Sequence, residues 1–254
     1  MNKNLTYIIY SHSSYDDVLN VCNDYCTDIK EKKILFVDKI NDNKQYNFDE
    51  IIIYDDNLNY TKRIEQCLKK INITTKYILF NPENNIPISK KDEIIYKLVD
   101  TMEKYNIDKL DFCCYNYINS HENIDFGDYI LVKNTDMNKS TCPYYNVGTS
   151  LFNFNKWKIL MESYDTSLKS IEGNMEVQNF CNNYWKCYYI NYKDTNFSLK
   201  CGYYLLTDIY VYFHLTHDAK LFPKKSKRLD DFMKEKYHNI LKNYKFKRSF
   251  NTKR

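Results

Sequence analysis

The chain is poor in the small and turn-forming residues: its 254 residues include one alanine, four glycines and four prolines. The glycines stand at positions 127, 148, 173 and 202, so neither G-x-G-x-x-G nor G-x-x-x-x-G-K-[ST] can be assembled. That absence excludes a Rossmann-type dinucleotide oxidoreductase and a P-loop enzyme. A nucleotide could still be held if a metal ion, in place of backbone N–H groups, neutralised its phosphates. The nine cysteines contain no C-x-x-C pair, their number is odd, and no signal-type segment precedes Thr6. These features predict a reducing, cytoplasmic compartment in which cysteines fill the core and neither form disulfides nor bind zinc. No run approaches the ~18 apolar residues of a membrane span.

What is abundant is asparagine, lysine, isoleucine and tyrosine, all residues with A/T-rich codons. Base composition accounts for them, so the 26 tyrosines do not by themselves indicate sugar or nucleic-acid stacking. The charge is segregated. Residues 224–254 hold 12 Lys or Arg against 3 Asp or Glu, a net of +9, and since the whole chain carries +4 the preceding 223 residues sum to −5. Within that tail Leu229, Phe232, Met233, Ile240, Leu241 and Tyr244 form a helical apolar stripe, suited to pack on the body or to lie on an anionic membrane surface. The acidic body, and a tail with no aromatic-and-glycine recognition motif, argue against nucleic acid as a partner.

The first half alternates strand and helix. "LTYIIYS" (5–11), "KILFVD" (33–38), "EIIIYDD" (50–56), "KYILF" (76–80) and "LDFCCYNYI" (110–118) read as buried strands. Between them lie helical stripes: Val18, Cys22, Tyr25, Cys26 and Ile29 after a cap at Ser13 or Ser14; Ile64, Cys67, Leu68 and Ile71; and Ile94, Ile95, Leu98, Val99 and Met102 after a capping box opening at Ser89. Apolar strands separated by helices predict an α/β fold with a mostly parallel central sheet flanked by helices, completed by the basic helical tail. The second half adds strands at 128–134, 148–154 and 186–193, a helix from Lys156, and a helix over 172–185 with Asn174 as its cap.

In such sheets ligands sit beyond the carboxyl ends of the strands. The residues there are Ser11, His12 and Ser13; Asp38; Asp55 and Asp56; and Asn81 to Asn85, a row of polar, mostly oxygen-bearing ends. Asp and Asn also favour turns and caps, so each position alone has a structural reading as well.

The block "IIIYDDNLNYTKRIEQCLKKINITTKYILFNPENNIP" (51–87), with "YIIYSHSSYDDVLNVC" (7–22), resembles glycosyltransferases of the GT-A fold, especially the family-2-like group. The resemblance covers roughly residues 5 to 120, and more weakly the rest. It implies a glycosyltransferase that moves a sugar from a nucleotide-diphosphate donor to a hydroxyl of a glycan, protein or lipid acceptor. Residues 1–223 would be the transferase domain, with a nucleotide-sugar half (1–120) and an acceptor half (121–223). Ser11, His12, Asp38, Arg63 and Asn81 would contact the nucleotide sugar. A divalent cation, Mn²⁺ or Mg²⁺, would stabilise the departing pyrophosphate, held by Glu83, Asn85 and the late His217, near which His214 and Asp218 also fall. The family's D-x-D position reads Glu83-Asn84-Asn85 here, one carboxylate and two amides, so a GT-A-like binding or scaffolding module without catalysis is the alternative. Glu176 or Glu172, near a helix start, would activate the acceptor hydroxyl; glutamates at helix starts also simply favour the macrodipole.

Overall fold

A computed structural model describes residues 4–12, 16–82, 85–114, 122–134, 144–201, 204–214, 216–217 and 220–221. The tail 224–254 lies outside them, as do Ser13, Ser14, Glu83, Asn84 and Asp218. The elements run β1 (Leu5–Tyr10), α1 (Asp16–Cys26), β2 (Lys32–Val37), β3 (Glu50–Ile53), α2 (Tyr60–Lys69), β4 (Tyr77–Pro82), β5 (Asn85–Lys90), α3 (Asp92–Tyr105), β6 (Lys109–Asp111) and β7 (Cys113–Cys114). They continue as β8 (Asn123–Phe126), β9 (Tyr129–Lys133), β10 (Ser150–Asn153), α4 (Phe154–Ser163), α5 (Leu168–Gly173), α6 (Met175–Tyr184), β11 (Cys187–Tyr192), β12 (Leu199–Cys201), β13 (Tyr204–Leu206), β14 (Tyr210–His214), β15 (Thr216–His217) and β16 (Lys220–Leu221).

Nine strands form one mixed sheet in the order β3-β2-β1-β4-β10-β6-β11-β9-β8. The block β3-β2-β1-β4 is parallel throughout. β10 enters antiparallel between β4 and β6, and β11 pairs parallel with β6 and antiparallel with β9. The sheet therefore joins the first half of the chain to the second. Alternation along β1 builds two cores. Leu5, Tyr7 and Ile9 face α1 and α3 with Leu19, Cys22, Ile95 and Leu98, while Ile8 and Tyr10 face α2, α4 and α6 with Ile64, Trp157, Leu160 and Val177. Six cysteines among the described residues are buried in these cores, and burial pushes the thiols of Cys26, Cys67 and Cys181 up to about 12, which leaves them unreactive.

Three local expectations change. The strand expected over 110–118 is divided: β6 stays in the main sheet, whereas β7 leaves it to pair with β13. Ser89 does not open a helix, because β5 runs to Lys90 as the antiparallel partner of β14, and α3 starts from Lys91 with no side-chain cap. The helix expected over 172–185 is two, parted at Asn174, whose side chain accepts from the Glu176 N–H at 2.8 Å as the cap of α6.

Candidate functional site

Ladder bonds carry the parallel strands past their nominal ends. The Ser11 N–H donates to Phe36 O at 2.8 Å and the Tyr54 N–H to Val37 O at 3.0 Å, while the Tyr54 hydroxyl donates to Ser11 O at 2.6 Å. Those bonds line up the next residues of β1, β2 and β3, and they bring His12, Asp38 and Asp56 together. His12 Nε2 lies 3.0 Å from Asp56 Oδ1 and 3.8 Å from Asp38 Oδ2. The Asp38 side chain is 8% exposed. Ser11 is buried, with an unpaired hydroxyl.

Arg63, in the first turn of α2, is bound to the loop that carries Asp56. Its Nε donates to Leu58 O at 2.7 Å, its Nη2 to Asp56 O at 2.6 Å and Asp56 Oδ1 at 2.8 Å, and its Nη1 reaches the Tyr10 hydroxyl at 3.4 Å. The guanidinium also lies over the Tyr54 ring, 5.4 Å from its centroid, and Tyr54 stacks on Tyr10 at 5.5 Å. The residue expected to touch a nucleotide is thus engaged in holding Asp56.

At the end of β4 the amides are engaged as well. Asn81 and Asn85 are buried. Thr149 Oγ1 donates to Asn81 Oδ1 at 2.9 Å and accepts from Asn85 Nδ2 at 3.0 Å, and Asn81 Nδ2 donates to Asn85 O at 2.8 Å. Asn85 is the register partner of His214 across the β5–β14 ribbon, so the backbone brings the C-terminal histidine segment to this strand end. His217 lies further on, in β15 opposite Lys220 of β16. Of the cation ligands expected here, Glu83 falls outside the described residues. Asn85 donates its side-chain nitrogen to Thr149, and its amide oxygen could offer a cation a hard but uncharged ligand.

The two candidate acids differ. Glu176 is exposed on the first turn of α6. Glu172 is partly buried, and its Oε1 accepts the Val147 N–H at 2.6 Å. Burial pushes the Glu172 carboxyl up, against the Val147 N–H and the Lys109 charge, which pull it down. Gln178 fastens the same loop, accepting from the Tyr145 N–H at 3.1 Å and donating to Tyr145 O and Glu172 O at 2.8 Å each. Below it, Lys109 Nζ donates to Asp111 Oδ2 at 2.7 Å, with both side chains at most 3% exposed, and Ser150 Oγ donates to Asp111 Oδ1 at 2.5 Å.

Asp56 had been visible only as one polar strand end among several, and Lys109, Asp111, Thr149 and Gln178 gave no functional signal. The alternation Lys109-x-Asp111 in a strand does put both side chains on one face, and that much was readable.

No protein-family model matches the chain, and no curated protein matches it. In structure it is similar to the apo-form glycosyltransferase GlyE of Streptococcus pneumoniae TIGR4, at 12% identity and a TM-score of 0.37, over 72% of this chain. The match spans 44% of the GlyE chain. It is also similar to the galactosyltransferase LgtC in complex with donor and acceptor sugar analogues, at 13% identity and a TM-score of 0.35, over 72% of each chain. No helix among the described residues is long and apolar enough to cross a membrane.

Proposed function

We propose that the chain is a GT-A-type glycosyltransferase that moves a sugar from a nucleotide-diphosphate donor to a hydroxyl of a glycan, protein or lipid acceptor. Residues 1–120 bind the nucleotide sugar, residues 121–223 take the acceptor, and residues 224–254 are a basic tail that touches anionic membrane. The observation that carries this reading is the meeting of the two halves at one edge of the sheet. His12, Asp38 and Asp56 converge beyond the parallel strands. The Val147 N–H held by Glu172 is only two residues from Thr149, which binds the Asn81 side chain at the end of β4. A carboxyl group raised by burial suits a general base working near neutral pH, so Glu172 is the better candidate to deprotonate the acceptor hydroxyl, and Glu176 serves its helix.

Calorimetric titration with a panel of nucleotide-diphosphate sugars, with and without Mn²⁺, tests this. A chain that binds no donor under either condition is not a glycosyltransferase. The second reading, a GT-A-like binding module without catalysis, is favoured by one observation: Asn81 and Asn85 are buried and bound to the protein's own groups. It expects donor binding with neither transfer nor hydrolysis of the sugar.

A further inference from the structure

We propose that the chain's divalent-cation site is His12–Asp38–Asp56, at the ends of β1, β2 and β3, and not the strand-four tip where the resemblance would put it. One donor atom from each residue lies within 4.8 Å of the other two. Ligand atoms held about 2.1 Å from a cation stand about 3.0 Å apart at a right angle and about 3.4 Å apart at the tetrahedral angle. The 3.0 Å and 3.8 Å separations from His12 Nε2 bracket those values, so a small rotation of the carboxylates closes the site. In the tautomer that carries its proton on Nδ1, the imidazole offers the Nε2 lone pair to a metal.

The donor set selects the kind of ion. Two carboxylates suit a hard ion such as Mn²⁺, and the added imidazole, which Mn²⁺, Co²⁺ and Zn²⁺ accept, disfavours Mg²⁺ and Ca²⁺, which prefer oxygen alone. Two features prepare the site. Asp38 is nearly buried, so few waters compete for it. Arg63 grips the backbone carbonyl of Asp56 as well as its carboxylate, so the residue stays in place when the carboxylate turns an oxygen to the cation. The strand-four tip has no comparable set among the described residues: Asn85 is neutral, buried and engaged with Thr149.

The inference rests on the proposed function only for what the cation does, which is to meet the donor's pyrophosphate; whether it binds is tested without nucleotide. The full chain is titrated with Mn²⁺ alone, and free Mn²⁺ is read by electron paramagnetic resonance. One Mn²⁺ per chain is expected, bound at least tenfold more weakly by His12→Gln and by Asp56→Asn and retained by Glu83→Gln. A measurement on the parent protein guards against misfolded variants: bound Mn²⁺ broadens the His12 imidazole proton signals, assigned by their loss in His12→Gln. A parent that takes no Mn²⁺ overturns the site, and so does binding lost in Glu83→Gln but kept in the other two variants. Mn²⁺ bound at His12 by a chain that takes no nucleotide sugar upholds this site and sinks the transferase reading. A nucleotide sugar bound by a chain that takes no Mn²⁺ does the reverse.

Discussion

Replacing Lys109 by methionine probes a charge buried in the middle of the nine-stranded sheet. Lys109 and Asp111 sit on one face of β6, between β10 and β11, with Lys109 Nζ 2.7 Å from Asp111 Oδ2 and 5.8 Å from the Phe152 ring centroid. Methionine keeps the length of the stem and removes the ammonium, which leaves the Asp111 carboxylate buried with the Ser150 hydroxyl beside it. Breaking a buried pair from one side costs about 3–5 kcal/mol. For a chain of this size, at ~2–4 °C per kcal/mol, that is a fall in Tm of roughly 6–20 °C. Removing both partners is a different perturbation. In Lys109→Met/Asp111→Leu no charge is stranded, and Ser150 Oγ can turn wholly to Gly148 O, now 3.1 Å away, so much of the loss should return. Urea unfolding of parent, single and double variants measures this. A single variant within ~1 kcal/mol of the parent would refute the reasoning, because it would mean that Asp111 is not desolvated as its burial implies.

Glu172→Gln should separate function from stability. A folded-state carboxyl raised above its unfolded value contributes stability that is full below the unfolded pKa and lost as pH rises through the folded one. At neutral pH the ionised group is therefore a liability, and glutamine, whose oxygen still accepts the Val147 N–H, should raise Tm at pH 7 with the gain vanishing in acid. Transfer should drop ~10²–10⁴-fold if Glu172 is the base; a variant that is less stable at pH 7 and still active would assign Glu172 to the loop alone. Deleting residues 224–254 should weaken binding to anionic vesicles in a salt-sensitive way, since polybasic attraction is screened over roughly 8 Å at physiological ionic strength. An insoluble truncation would instead make the tail's apolar stripe part of the core.

The parallel block was legible because β1, β2 and β4 are continuous apolar runs buried on both faces over most of their length, and such runs need no knowledge of their neighbours. "LTYIIYS" became Leu5–Tyr10 and "KILFVD" became Lys32–Val37 within a residue or so. β5 was not legible. "NIPISK" carries a proline and a helix-cap serine, and it is a strand because Tyr210–His214 pairs with it from far along the chain. The site followed the same division. His12 and Asp38 are the next residues after apolar strands, so the strand-end rule finds them. Glu172 and Glu176 look alike in sequence, and only the tertiary environment, a backbone N–H and burial for one and solvent for the other, tells them apart. Lys109 reads as an ordinary surface lysine until the strands on either side cover it.

The scarcity of glycine returns at this edge of the sheet as an electrostatic problem. On the proposed function a donor's pyrophosphate would find no glycine-rich loop in the sequence to hold it, and Arg63 is already spread over Leu58, Asp56 and Tyr10. At the proposed cation site it would meet the pair Asp38 and Asp56, whose carboxylates repel it. A dication on those carboxylates reverses the sign of the field, so cation and donor should bind cooperatively, and linkage makes the effect reciprocal. If Mn²⁺ tightens the nucleotide sugar tenfold, ~1.4 kcal/mol, the sugar must tighten Mn²⁺ by the same factor. Each affinity is measured by calorimetry with the other ligand absent and then saturating. Asp56→Asn should shrink the coupling along with the metal affinity, because it removes one of the two carboxylates that would hold the cation. Affinities independent of one another in the parent would show that the donor does not reach the cation, and the carboxylates would then have to be placed outside the path of the phosphates.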